Sequence, residues 1–270
     1  MPARAPEHCE WFEDTGTVLS TSDNKAVRVL RFNYQEDIHV LNAWAIHFRR
    51  HYCSDSDLAA SCAAMGMTAA DYLRDIKLPG LTAPGPSIRS GDFSEILVAD
   101  YIQYLLGYVV PRTRYDRKDT RDSSTKGIDI LGFKYIDKEN PGEDDELITC
   151  EVKASLTAPA SNNLQAAING SKLDFEIRLP LALNAAYQRL RDRGDLETAT
   201  ALERFMNQTV RPYTNISAAV LMCSDAAWRE QLVIESEGAH PNTRLELLVF
   251  LGNDLMTLAN RLYEQVYATA

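Results

Sequence analysis

The strand-like run at residues 147–154 constrains the fold of this chain most. Side chains alternate between the two faces of a strand, so one face of this run is wholly apolar and the other ends in Glu151 and Lys153. The apolar face consists of Ile148, Cys150, Val152 and Ala154. Ionised groups are costly in a buried sheet unless they pair, bind a metal or take part in chemistry. The run therefore predicts a buried strand whose two charged groups lie about 7 Å apart.

A second predicted strand, at residues 127–136, brings another carboxylate into reach. Asp129 points away from its apolar neighbours, and it can face Glu151 and Lys153 if the two strands pair. Two carboxylates this close attract a hard divalent cation such as Mg²⁺, which prefers oxygen ligands. A lysine beside them can hold or deprotonate an attacking water. The two strands together predict a metal-assisted hydrolytic site.

Glu95 is a third unusual carboxylate. It lies in a helix predicted at residues 92–106, and its neighbours at helical spacing are apolar. These neighbours are Val98, Ala99, Ile102 and Leu106. The polar stripe of the helix is expected at Asp92, Asp100 and Gln103. A carboxylate on the buried face needs a nearby metal ion or cation, so Glu95 is predicted to support the same site.

The order of the predicted elements indicates an α/β fold in which helices flank a mixed sheet. Residues 78–91 contain three prolines and three glycines, so they are predicted to be a linker without regular structure. This linker separates a smaller N-terminal α+β domain, residues 1–80, from a second domain, residues 89–270. The later elements are a helix at 92–106, an antiparallel meander of strands at 108–114, 127–136 and 147–154, strands at 216–223 and 245–251, and a final helix at 254–267.

Charge limits how this chain could bind nucleic acid. The net charge is −10, whereas a protein that holds nucleic acid unaided usually presents a basic surface. The best basic patch lies at residues 112–126, but it also contains aspartates, so a solvated loop is an equal alternative. No segment has the ~20 apolar residues of a membrane span, and the N-terminus lacks an apolar leader. We therefore expect a cytoplasmic protein that does not enter a membrane.

Other candidate sites are weaker. The five cysteines are widely spaced and form no Cys-x-x-Cys pair, which argues against a zinc knuckle and a disulfide framework. His47 and His51 have the i, i+4 spacing of metal ligands, but without a HExxH motif surface or packing roles are favoured. No GxxxxGK[ST] loop occurs, which argues against an NTPase.

The Glu151-x-Lys153 pair has a plain alternative, because such pairs also occur as ordinary salt bridges, and Glu95 could pair with an arginine. The order of Glu95, Asp129, Glu151 and Lys153 across a helix followed by three strands favours a nuclease core instead. Together they resemble the motifs of the PD-(D/E)xK nuclease superfamily. The usual proline before the aspartate is absent from Gly127-Ile128-Asp129, a tolerated variant.

More narrowly, three segments resemble the HamA family, the nuclease subunits of the Hachiman anti-phage defence system. They are Gly91-Asp-Phe-Ser-Glu95-Ile-Leu, Gly127-Ile-Asp-Ile-Leu-Gly132 and Glu151-Val-Lys153. The resemblance covers residues 89–175 well and the first 80 residues weakly. It implies a restriction-endonuclease-like core and a DNA endonuclease that needs Mg²⁺ or Mn²⁺ and works beside a superfamily 2 helicase subunit, HamB.

The same resemblance implies a role for each site residue. Asp129, Glu151 and the backbone carbonyl of Val152 would bind the metal ion. Lys153 would position or activate the water, and Glu95 would support the metal or the lysine.

The helicase subunit would also supply the electrostatic affinity for DNA that a chain of net charge −10 lacks. Residues 2–78, which carry no recognisable chemistry, are the expected docking surface. Two alternatives stay open: a catalytically inactive binding or regulatory module of the same fold, and a stand-alone restriction-type nuclease.

Overall fold

A computed structural model of the protein describes residues 4–157 and 162–270. These residues form one six-stranded sheet with helices packed against it. The strands are β1 Phe12–Ser20, β2 Ala26–Phe32, β3 Ile130–Lys134, β4 Glu146–Ser155, β5 Thr214–Ser224 and β6 Leu245–Gly252. The α-helices are α1 Ile38–Tyr52, α2 Asp55–Met65, α3 Ala69–Tyr72, α4 Gly85–Asp100, α5 Asn163–Leu173, α6 Leu179–Asp192, α7 Leu196–Glu203, α8 Gln231–Ile234 and α9 Leu255–Ala268. Shorter elements are a 3-10 turn at Glu7–Trp11 and π-helical turns at Leu73–Lys77, Tyr101–Leu105 and Asp174–Arg178.

The sheet is mixed, with the strand order β1-β2-β6-β5-β4-β3. The central strands β2, β6, β5 and β4 run parallel to one another, whereas the edge strands β1 and β3 are antiparallel to their neighbours. The predicted α/β class, with a mixed sheet flanked by helices, is therefore confirmed. Within residues 4–157 and 162–270, no helix is both long and apolar enough to cross a membrane.

Alternation along the central strands gives the sheet two apolar faces. In β5, Val220 and Met222 belong to the core that contains α4 and α9, whereas Ala219 and Leu221 pack with α5. Parallel strands that are buried on both faces appear in sequence as continuous apolar runs, as β5 and β6 do. The predicted apolar face of β4 is confirmed, because Ile148, Cys150 and Val152 are buried and Ala154 is partly buried.

The strand predicted at residues 108–114 does not form. It is reduced to a single bridge, in which Val109 and Phe133 exchange two backbone hydrogen bonds. Pro111 has no N–H to donate, and Arg112 has a φ of 50°, so neither residue can continue a ladder. The predicted meander is therefore an antiparallel pair, β3 with β4, and Asp129 lies just before β3 rather than inside a strand.

β1 has no counterpart in the sequence-based prediction. Most of its side chains are exposed, and Gly16, with a φ of 69°, lies where the register with β2 shifts. An edge strand of this kind buries little apolar surface, so it leaves no alternating pattern from which it could be predicted.

The segment at residues 78–91 is only partly a linker. α4 begins inside it at Gly85, and Pro86 lies in the first helical turn, where its missing N–H is not needed. A Cβ at Gly85 would lie 2.2 Å from the carbonyl oxygen of Gly80, so this close approach requires a glycine. The linker prediction is wrong from residue 85 onward.

The polar stripe predicted on α4 is also wrong, because Asp92 and Asp100 are buried at 4% and 0% exposure. Lys118 Nζ lies 2.5 Å from the Asp92 carboxylate, and Arg112 Nη2 lies 2.7 Å from that of Asp100. α4 packs against β4 and α9, so its acids are paired inside the protein. Helical spacing cannot distinguish such an acid from one that faces solvent.

The N-terminal segment belongs to the same sheet as the rest of the chain. β2 pairs with β6, with Val29 opposite Val249, and α1 packs against α9. One core cluster contains both Trp44 of α1 and Phe93 of α4. The predicted division at residues 80–89 therefore does not separate two independently packed cores.

Candidate active site

Glu151 and Lys153 lie near the carboxyl end of β4, on the face opposite its apolar side chains. Lys153 Nζ is 2.5 Å from Glu151 Oε1. The Glu151 side chain is 8% exposed and that of Lys153 is 38% exposed, so the lysine approaches the carboxylate from the solvent side. α5 passes so close that a Cβ on Gly170 would lie 2.5 Å from Glu151 Cδ. The glycine therefore leaves the space that the carboxylate occupies.

Asp129 joins this pair through the backbone of β4. Its Oδ2 accepts a hydrogen bond from the Val152 N–H at 2.9 Å. Ile130 is opposite Cys150, so the residue before β3 falls beside Glu151. The predicted approach of the two carboxylates is observed, although Asp129 precedes the strand.

Glu95 reaches the site from α4, and an arginine connects it to Asp129. Arg114 Nε lies 2.9 Å from Glu95 Oε2, and Arg114 Nη2 lies 2.6 Å from Asp129 Oδ1. The hydroxyl of Tyr115 donates to Glu95 Oε2 at 2.5 Å. Burial, and then the charge of Asp129, raises the pKa of Glu95 to about 8. Glu95 thus pairs with an arginine and also lies beside the predicted metal ligands.

Asp174 and Arg178 extend the site, although the sequence patterns do not single them out. The Asp174 carboxylate is fully buried, and its Oδ1 accepts a hydrogen bond from Arg178 Nη1 at 3.0 Å. Its Oδ2 is buried without a hydrogen-bond partner in the part of the chain that the structure describes. Arg178 Nη1 also lies 3.8 Å from Glu151 Oε2. The one sequence signal is the i, i+4 spacing of Asp174 and Arg178, which is common on exposed helices.

Mutual repulsion among the acids shapes the electrostatics of the site. Burial, and then the charge of Glu151, raises the pKa of Asp174 to about 7. Burial and the charge of Asp129 likewise raise the pKa of Glu151. Burial opposes the charged form of Lys153, but its hydrogen bond to Glu151 and the nearby acids outweigh burial and raise its pKa. Lys153 therefore keeps its proton at neutral pH.

The donor set suits a hard divalent cation. The predicted side-chain ligands are carboxylates, the class that Mg²⁺ and Mn²⁺ prefer, and a cation would relieve the repulsion that adds to burial in raising the pKa of Glu95, Glu151 and Asp174. The structure brings the predicted ligands Asp129 and Glu151 together. The N–H of Val152, the residue after Glu151, donates a hydrogen bond to Asp129. Arg114 already contacts Asp129 Oδ1, so its guanidinium competes with a metal ion for that carboxylate.

A cavity of about 400 Å³ adjoins the acids. Glu95 and Asp129 form part of its wall. Its basic lining residues are Arg112, Arg114, Lys126, Arg178 and Arg189. Cationic groups around a carboxylate site suit a phosphodiester backbone, because phosphate oxygens take most of the contacts in protein–DNA complexes.

The basic patch predicted at residues 112–126 is largely neutralised by ion pairs. Arg117 pairs with Asp192 at 2.8 Å, and Lys118 pairs with Asp92 at 2.5 Å. The segment is therefore neither a free basic surface nor a plain solvated loop. It is a connection that ion pairs fix against α4 and α6.

Comparison with known families decides where the chain belongs. A sequence model of the HamA family matches residues 7–266. The chain belongs to the HamA family. The match extends well beyond residues 89–175 and includes the N-terminal segment whose strands complete the sheet. HamA membership associates the chain with Hachiman anti-phage defence, and comparison with curated proteins finds no match.

Proposed function

We propose that this member of the HamA family is a metal-dependent DNA endonuclease with a PD-(D/E)xK core and the effector of a Hachiman defence complex. The convergence of Asp129, Glu151 and Lys153 on one buried acidic site carries the proposal. Glu95 joins them from α4 through a shared arginine. Burial and the charge of Asp129 raise the pKa of Glu95 and Glu151, and such shifted carboxylates beside a cleft are typical of functional sites.

Each residue has a role in this proposal. Asp129, Glu151 and the Val152 carbonyl would hold the metal ion, and Glu95 would support Asp129 through Arg114. When bound, Mg²⁺ or Mn²⁺ would stabilise charge on the phosphate and make a bound water more acidic. Lys153 would orient the attacking water and stabilise the developing negative charge. A role in removing the proton is disfavoured, because a lysine that keeps its own proton has no lone pair to accept another.

Arg114 leads us to expect low activity of the isolated protein. Its side chain is 12% exposed and bridges Glu95 and Asp129. A metal ion has to compete with this charge for Asp129, which weakens metal binding. A partner that moves the connection carrying Arg114 would remove the competition. A HamB-like helicase subunit is the proposed partner, and it would restrain or activate the nuclease.

DNA is the proposed substrate, because cations line the cavity beside the acids. The net charge of −10 implies that the helicase supplies most of the affinity for DNA. A stand-alone restriction-type nuclease would instead bind DNA tightly by itself. Fluorescence anisotropy of labelled DNA with the isolated chain distinguishes these two cases, and we expect weak binding.

A plasmid-cleavage assay tests the proposed activity with Mg²⁺ and with EDTA, each with and without the helicase subunit. Glu151→Ala and Lys153→Ala should each reduce Mg²⁺-dependent cleavage by at least about 100-fold. Glu139→Ala and Lys138→Ala, in the exposed loop between β3 and β4, are matched controls and should cleave like the wild type. Circular dichroism checks that all four variants fold. Wild-type cleavage by both site variants would refute the assignment.

One observation favours the alternative of an inactive regulatory module. Arg114 neutralises Glu95 and Asp129 without any metal ion, so the site could be stable as a purely structural ion-pair network. If the helicase complex assembles but shows no Mg²⁺-stimulated cleavage, this alternative replaces the nuclease.

A further inference from the structure

A second polar cluster lies where the 3-10 turn at Glu7–Trp11, α1 and α4 meet. Asp100 is fully buried, and its Oδ2 lies 2.9 Å from His8 Nε2. Its Oδ1 lies 2.9 Å from His47 Nε2. His51, one helical turn later, directs its Nε2 towards His47 Nε2 at 3.4 Å. His8 and His47 therefore meet at Asp100, and His51 adjoins His47, in what we call the histidine–aspartate cluster.

Hydrogen bonds alone satisfy this arrangement poorly. His47 Nε2 faces both Asp100 Oδ1 and His51 Nε2, and a single N–H cannot point linearly at both. His8 and His51 are both buried, so solvent is largely excluded from the cluster.

We propose that the histidine–aspartate cluster binds a transition-metal ion, with Zn²⁺ as the best fit. The ligands would be His8, His47 and Asp100, with His51 as the fourth from its position beside His47. Nitrogens bound to tetrahedral Zn²⁺ at about 2.0–2.1 Å lie about 3.4 Å apart, and the two nitrogens of α1 are 3.4 Å apart. The ligand atoms of His8, His47 and Asp100 all lie within 4.8 Å of one another. Imidazole-rich sites favour Zn²⁺, whereas Mg²⁺ prefers sites made of oxygen.

Two neighbours define the limits of the site. Arg112 Nη2 donates to Asp100 Oδ1 at 2.7 Å, so Oδ2 is the oxygen that is left for a metal ion. Cys9 Sγ lies 3.8 Å from His8 Nε2 and is the nearest thiol beside the cluster that these contacts show. The Asp100 carboxylate contacts both His8 and His47, whereas Cys9 contacts only His8, so the carboxylate is assigned as the donor from α4.

The bound ion would have a structural role that does not depend on nuclease activity. It would join the N-terminal 3-10 turn and α1 to α4, the helix that also carries Glu95. Arg112 connects the same cluster to Arg114, two residues later in the chain, which contacts Glu95 and Asp129. The cluster would therefore stabilise the region behind the candidate active site.

Metal analysis of the full chain tests the proposal. Protein purified without a histidine tag and dialysed against metal-free buffer should retain about one Zn²⁺ per chain by elemental mass spectrometry. Titration of the metal-free protein with Co²⁺ should give the visible absorption bands of a tetrahedral site. His47→Gln and His51→Gln should each weaken Co²⁺ binding by at least about tenfold.

Two control variants separate this site from other binding. His39→Gln changes an exposed histidine of the same helix and should bind Zn²⁺ like the wild type. Glu151→Gln should also keep the Zn²⁺, because Glu151 belongs to the candidate active site and not to the histidine–aspartate cluster. Zn²⁺ should raise the unfolding temperature of the wild type and of His39→Gln, but not that of His47→Gln. The proposal is overturned if the wild type retains no metal, shows no Co²⁺ bands and unfolds at the same temperature with and without Zn²⁺. The cluster would then be a hydrogen-bond network only.

Discussion

Asp174 couples the candidate site to the stability of the whole chain. Its side chain is fully buried, and its pKa is raised to about 7. An aspartate in the unfolded chain has a pKa near 3.9, so the folded state binds the extra proton between about pH 4 and pH 7. The stability linked to this proton is complete below about pH 4 and is lost as the pH rises through about 7.

We expect Asp174→Asn to remove this dependence, because an amide stays neutral at every pH. Between pH 5 and pH 8, in EDTA, the free energy of unfolding should fall by about 2 kcal/mol more for the wild type than for the variant. Urea denaturation at the two pH values measures the difference. Asp144→Asn, at an exposed position, should keep the wild-type dependence. Equal pH dependence in the wild type and Asp174→Asn would contradict the assigned protonation.

Gly170 is the residue whose substitution should displace the Glu151 carboxylate. A Cβ there would lie 2.5–2.6 Å from Glu151 Cδ, Cγ and Oε1, closer than real contacts allow. Gly170→Ala should cost about 1–3 kcal/mol of stability through overpacking and should strongly reduce Mg²⁺-dependent cleavage. Urea denaturation and the plasmid assay measure the two effects.

Gly91→Ala is the matched control for this substitution. Gly91 is also helical, and its added Cβ would meet nothing within 4 Å among the described residues. It should leave cleavage unchanged and stabilise the protein slightly, by about 0.5–1 kcal/mol. Normal cleavage by Gly170→Ala would show that the Glu151 carboxylate has room to move.

At the scale of elements, α4 organises the site because its acidic side chains form ion pairs with the segment that connects α4 to β3. Arg112, Arg114 and Lys118 of this connection pair with Asp100, Glu95 and Asp92 of α4. The connection has little regular structure, so these ion pairs fix its path. They also explain why a segment rich in arginine and lysine does not form a basic surface.

The buried pair of Lys118 and Asp92 should contribute most to holding this connection. Their side chains are 4% and 5% exposed, and the Tyr52 hydroxyl also donates to Asp92. Lys118→Ala should destabilise the protein by about 3–5 kcal/mol, because it leaves a buried carboxylate without its cation. Arg117→Ala, which removes a pair that is about half exposed, should cost no more than about 1 kcal/mol. Similar losses in urea denaturation of the two variants would contradict this difference.

Elements with strong apolar patterns could be predicted from the sequence. The strands expected at 216–223 and 245–251 are Thr214–Ser224 and Leu245–Gly252, and the last helix, expected at 254–267, is Leu255–Ala268. The connection after α4 could not be predicted, because charged pairs between distant residues determine its path. Local periodicity contains no information about which acid a given arginine will reach.

At the scale of the whole molecule, the N-terminal segment is a structural part of the sheet. β2 lies between β1 and β6, and α1 covers part of the core together with α9. Removal of residues 1–37 would expose the edge of β6 and apolar side chains beneath it. We expect the truncated chain to show no cooperative unfolding transition by circular dichroism. A folded truncated chain would show that the second segment is an independent domain.

Docking of the helicase on this segment stays a prediction, and surface substitutions test it better than deletion. Ile38 and Met65 are 48% and 51% exposed, so Ile38→Asp and Met65→Asp should leave the fold intact. If the segment is the docking surface, these variants should weaken helicase binding in pull-down or calorimetric measurements. Leu196→Asp, at a position 60% exposed on α7, is the control. Equal binding by all three variants would place the partner elsewhere.

The sequence by itself determined the class of fold, the buried face of β4 and the identity of the candidate acids. Alternation and helical spacing are local properties, so they follow from the order of residues alone. Only the tertiary structure decided that Arg114 bridges Glu95 and Asp129, that Asp174 joins Glu151 through Arg178, and that His8 and His47 both contact Asp100. Those contacts join segments far apart in the chain, and burial together with long-range charge selects them, which local patterns do not encode.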